Sequence, residues 1–193
     1  MPAKAETAAG GTWRRGPGSG FFKAMKRRLG HLPFIAEDLG DLTDDVCRLR
    51  KRWALPGMKV LQFAFGRDMP VSGFIPHHYT ADFFSYTGTH DNNTVRGWYR
   101  HELSAGGRRR VNAYLGQNVN EENLPFKLIR LLYASVAGAV IIPVQDLLGL
   151  DENARMNRPG SVSSQNWVWR LKKGQLTARH AGVLREYAAL YDR

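Results

Sequence analysis

Three polar dipeptides stand out by type and position: Glu37-Asp38, His90-Asp91 and Gln145-Asp146 each close a short apolar run. Carboxyl groups gathered at such ends suit glycoside chemistry. One acid protonates the leaving oxygen, and a second carboxylate lies close to the developing oxocarbenium ion. The same residues have plainer readings. Glu37 and Asp38 fit equally well as a helix-dipole pair or as ion-pair partners of nearby basic residues. His90 suits a metal or general-base pair with Asp91, and just as well a hydrogen-bonded structural histidine; no second His or Cys stands at ligand spacing around it. His77-His78 shares that ambiguity. Trp13, Phe21, Trp167 and Trp169 serve as either sugar-stacking platforms or core filling.

The elements that must carry these residues follow from periodicity. A glycine-rich loop from Gly10 to Gly20 and a helix lead in over residues 1–32. Pro33 to Ala36 reads as a first strand, Met58 to Phe65 as a second, Phe83 to Thr87 as a third and Ala139 to Val144 as a fourth, all nearly continuous in apolar residues. Helices fall between them. Thr43 caps one whose first turn holds Asp44 and Asp45, whose last turns hold Arg48 to Arg52, and whose stripe is Val46, Leu49 and Trp53. Thr94 caps a second carrying Val95, Trp98, Tyr99 and Leu103. Pro125 opens a third with Leu128, Leu131, Leu132, Ser135 and Val136, ended by Gly138. Thr177 caps a last one burying Val183, Leu184, Tyr187, Ala188 and Tyr191. This alternation predicts an α/β fold with a parallel sheet, either doubly wound or part of a (β/α)₈ barrel. Polar residues at the strand ends, and no glycine-rich phosphate fingerprint, favour the barrel.

Composition removes other classes. In 193 residues, 43% apolar and 11% aromatic content belongs to a packed protein rather than a disordered tail. Cys47 has no partner for a disulfide. The longest uncharged apolar run, the 14 residues Leu131 to Val144, contains Pro143 and is too short to span a bilayer. No apolar leader precedes the fold, so the expected location is the cytoplasm, with no membrane partner. The net charge of +11 raises the question of nucleic acid. Its basic residues form short groups spread along the chain, outside any nucleic-acid motif, and read as a solvated surface.

The strings IAEDLGDLTDDVCRLRKRWALPGMKVLQFAF, FIPHHY, YTGTHDNNTVRGW and VIIPVQDLLGLDENARMNRPGSVSSQNWVWRL resemble the 4-α-glucanotransferases, the amylomaltases or disproportionating enzymes of glycoside hydrolase family 77. The resemblance runs from about Ala5 to Leu171 and implies the C-terminal part, about strands 5 to 8, of a (β/α)₈ barrel. It implies Glu37 as general acid/base, Asp91 as transition-state stabiliser and His90 as a binder of sugar hydroxyls. Pro76, His77 and Asn157 fall where the family has sugar-binding loops. The implied reaction is a retaining double displacement on α-1,4-glucans and maltooligosaccharides, with no metal or cofactor.

The family nucleophile is an aspartate in an Arg-x-Asp-His-Phe-Arg-Gly type segment before the IAEDLG strand, and this chain holds no such segment. Asp38, Asp41 and Asp146 are weak substitutes, Asp38 fitting a turn-supporting role better. The expectation is therefore a C-terminal fragment, inactive alone, whose partners are the missing N-terminal half or a second copy joined through exposed strand edges. A non-catalytic glucan-binding or interaction module is the alternative.

Overall fold

The protein folds as two units, Met1–Leu55 and Pro56–Arg193, and the structure, a computed structural model, describes residues 7, 9–12 and 14–193. Trp13 lies outside the described residues. In the first unit, α1 (Ser19–Leu29) carries Lys26, Arg27 and Arg28 in its last turn, facing the negative end of the helix dipole. Gly30 stops it at φ 76°, a backbone conformation that side chains resist. The second helix, α2 (Asp44–Arg52), has the acidic start and basic finish that the sequence implies. Trp53 just beyond α2 packs its ring 5.7 Å from Phe22 and donates its indole N–H to Ser19 Oγ at 3.1 Å.

Pro33 to Ala36 forms no strand. A four-residue run becomes a strand only when a neighbour takes its N–H and C=O groups, and Pro33 supplies no donor. The chain is irregular between the two helices, and Asp38, two residues beyond this segment, pairs with the buried Arg50 at 3.2 Å. Val46, expected on the buried stripe of α2, is 44% exposed.

The second unit holds the other three expected strands, all parallel and each shorter than expected: β1 (Gly57–Val60), β2 (Phe83–Tyr86) and β3 (Ala139–Ile141), in that spatial order. Phe84 sits opposite Met58 on one side and Ala139 on the other. After Val60 the chain winds into a 3₁₀ turn over Leu61–Phe65. The expected strand ends early because Leu61, Ala64 and Phe65 are buried while Phe63 is 44% exposed, the i, i+3, i+4 spacing of a helical turn rather than the alternation of a strand. The fourth expected strand also stops short. Pro143 caps the short helix α6 (Val144–Leu147), so Asp146 stands inside a helical turn and not at a strand end.

Helical segments supply much of the core. Thr94 caps α3 (Val95–Gly97), its hydroxyl accepting from the Gly97 N–H, and a π-helical turn over Trp98–Glu102 prolongs it. The sequence reading missed α4 (Ala105–Leu115), because Gly106-Gly107 lowers helix propensity; Ser104 caps it, and Val111 is fully buried. Leu124, Leu128 and Leu132 of α5 (Leu124–Tyr133) are fully buried against Leu61, Phe65, Ile75 and Trp98. That helix ends five residues before Gly138, and Val136 is 62% exposed. Thr177 and His180 cap α7 (Ala178–Leu190) reciprocally. The face predicted for it, Val183, Leu184, Tyr187, Ala188 and Tyr191, is its half-buried face.

Candidate functional site

The loop between β2 and α3 is held at both ends by one carboxylate. Thr87, directly after β2, donates its hydroxyl to Asp146 Oδ2 at 2.5 Å, and the N–H of Val95, the first residue of α3, donates to Oδ1 at 2.7 Å. Burial of Asp146 raises its pKa to about 6 despite both hydrogen bonds, which act the other way. Asp146 is 2% exposed and so bears on the site only as a support for this loop.

Inside the clamp, Asn92 Oδ1 accepts from both the N–H and the hydroxyl of Thr89 at 2.9 Å, the local closure that favours Asn and Thr in turns. The Asp91 N–H reaches Thr89 Oγ1 at 3.3 Å. His90 and Asp91 therefore project from a braced turn. Their side chains are about half exposed, with His90 Nε2 3.6 Å from Asp91 Oδ1.

Residues far along the chain complete the arrangement. Asn157 donates Nδ2–H to Asp91 Oδ1 at 2.7 Å. The guanidinium of Arg155 donates to the main-chain oxygens of Asp91 and Asn157, both at 2.8 Å, and to Glu102 Oε1 at 3.1 Å. Glu102 also accepts from Asn93 Nδ2 at 2.8 Å. The Trp167 ring lies 5.2 Å from that of His90. A carboxylate fixed on one oxygen, beside an imidazole and an exposed indole, can hold hydroxyls and one face of a sugar ring.

Of the expected site residues, the structure brings together His90, Asp91 and Asn157. Glu37 lies in the first unit, exposed in the irregular segment before α2. Pro76 is buried at the start of a 3₁₀ turn, Pro76–His78. The exposed His77 shares a 3.1 Å hydrogen bond with the Tyr114 hydroxyl and stacks near Tyr114 and His78, away from the Asp91 hydrogen bonds. Arg155 and Glu102 were missed: a partly buried guanidinium serving two carbonyls carries no local sequence signal.

Residues 1–177 match the family described as 4-alpha-glucanotransferase. The chain belongs to the 4-alpha-glucanotransferase family. Members 44% identical in Streptococcus pneumoniae and 43% identical in Thermus thermophilus align over the whole chain, as does one 42% identical in Solanum tuberosum. The chain spans 38%, 39% and 33% of those proteins' lengths. Among solved structures, the Streptococcus agalactiae amylomaltase in complex with acarbose superimposes with a TM-score of 0.92 at 35% identity, over all of this chain and 38% of its own. The 4-alpha-glucanotransferases are transferases, and the α/β architecture agrees with that superposition. Among the described residues, no helix is long and apolar enough to cross a membrane.

Proposed function

We propose that the chain forms the part of a 4-α-glucanotransferase that supplies the acid/base glutamate and the stabilising aspartate, its three strands belonging to the C-terminal part of a (β/α)₈ barrel. The observation that carries this reading is the hydrogen bond from Asn157 to Asp91 Oδ1, with His90 alongside in the loop after β2. The substrate is an α-1,4-glucan, in keeping with the acarbose held by the streptococcal neighbour.

The reaction proceeds in two displacements. A carboxylate nucleophile, furnished by a segment outside these 193 residues, attacks the anomeric carbon as the C1–O bond breaks, and Glu37 gives its proton to the departing oxygen. Positive charge grows on the ring. Asp91, with one oxygen fixed by Asn157, offers the other to the distorted sugar, where its interaction strengthens in the transition state. His90 binds hydroxyls of the same sugar. The 4-hydroxyl of an acceptor then attacks the glucanosyl-enzyme, Glu37 takes its proton, and the nucleophile is released.

The test joins the chain to the preceding portion of the Streptococcus pneumoniae relative and measures glucose released from maltotriose. Glu37→Gln and Asp91→Asn should each lower kcat by about 10²–10⁴-fold. The 193-residue chain alone should bind maltooligosaccharide without turnover. Fusion activity that survives Asp91→Asn would sink the reading.

A further inference from the structure

The geometry points to Trp167 as a sugar-stacking platform that receives the glucose unit next to the one held by His90 and Asp91. This inference rests on the functional reading above and adds a residue to it. Trp167 is 53% exposed and has a φ of 66°, a region that bulky side chains avoid and that persists where surrounding structure enforces it, commonly at ligand clamps. The enforcement is visible on both sides of the residue. Its N–H donates to the Met156 carbonyl at 2.7 Å, and its own carbonyl accepts from Arg170 at 3.0 Å.

The preceding residue adds a third constraint. Asn166 Oδ1 accepts from the Arg158 N–H at 3.2 Å, and Asn166 Nδ2 donates to the Ser161 carbonyl at 3.1 Å. A strained, firmly braced backbone thus presents a large aromatic ring to solvent instead of to the core. The indole centroid lies 5.2 Å from that of His90, with the ring planes tilted by 42°, so a sugar laid on the free part of the indole adjoins the Asp91 hydrogen bonds. Holding the platform rigid before binding lowers the entropy cost of capture.

The experiment is calorimetric titration of the 193-residue chain with maltoheptaose, paired with thermal unfolding, for the wild type and Trp167→Gly, Trp167→Phe and Asp91→Ala. Glycine accepts the left-handed backbone, so Trp167→Gly relieves strain while deleting the ring. It should weaken maltoheptaose binding about tenfold with an unfolding midpoint equal to or above that of the wild type. Trp167→Phe should bind within about threefold of the wild type. If Asp91→Ala weakens binding while Trp167→Gly binds normally, the platform is overturned and the functional reading stands. Wild-type chain that fails to bind millimolar maltoheptaose, or an Asp91→Ala variant that binds unchanged, overturns both.

Discussion

Arg155 holds the main-chain oxygen of Asp91 at 2.8 Å while its side chain is only 14% exposed. One planar group thereby fixes the spacing between Asp91 and Asn157, whose carbonyl it also binds. Lysine keeps the charge but not the fork. Arg155→Lys should lower stability by about 1–3 kcal/mol through the carbonyls left unserved, read as a lower midpoint in urea at unchanged m-value.

Asp146 gives the protein a pH dependence of unusual sign for a carboxylate. Its folded pKa, about 6, lies above that of an exposed aspartate, so between roughly pH 4 and 6 the folded state binds more protons than the unfolded chain. Stability contributed by this group is fully present below the unfolded pKa and is lost as pH rises through the folded one. Asp146→Asn should remove that slope. Urea midpoints of the two proteins should converge near pH 4 and diverge near pH 7, with the variant then relatively more stable.

Glu121 behaves in the opposite way. Hydrogen bonding and charge from Arg100, and then Arg96, lower its pKa to about 2, so its stabilisation is present above the unfolded value and fades as pH falls from about 4 towards 2. Glu121→Gln should flatten the acid limb of the stability profile. Because the group is only partly buried, with its side chain 28% exposed, 1 M salt should shrink the difference.

Gly138 precedes β3 and donates its N–H to the Phe83 carbonyl at 2.9 Å. A Cβ placed there would collide with the Ala81 main-chain oxygen. Gly138→Ala should therefore cost about 1–3 kcal/mol by pushing β3 away from β2, measured as a fall in unfolding midpoint of several degrees.

What the sequence discloses depends on how local the cause is. The charge pattern of α2, the Thr177 cap of α7 and the leucine spacing of α5 are local, and those helices form where expected, although α5 ends at Tyr133 and Val46 of α2 is exposed. Leu61–Phe65 deceived because a nearly continuous apolar run fits a buried strand and a buried helical turn equally. Pro33–Ala36 lacks a strand because pairing is a property of neighbours, not of the run. Motif resemblance singled out His90, Asp91 and Asn157, which contact one another in the structure. Arg155 and Glu102 act through contacts up to 64 residues apart in sequence, which periodicity does not register.

The order in which the chain is made bears on how Asp91 acquires its setting. Val95 precedes its anchor Asp146 by 51 residues, and Asp91 precedes Asn157 by 66. Translation at about 5–20 residues per second leaves the 88–94 loop without these anchors for several seconds, while β1 and β2 are already available to pair. Closing such long loops is slow compared with forming local turns. Assembly of the Asp91 environment is thus a late folding event. A nascent chain halted before residue 146 would carry the histidine and aspartate on a turn that nothing yet holds.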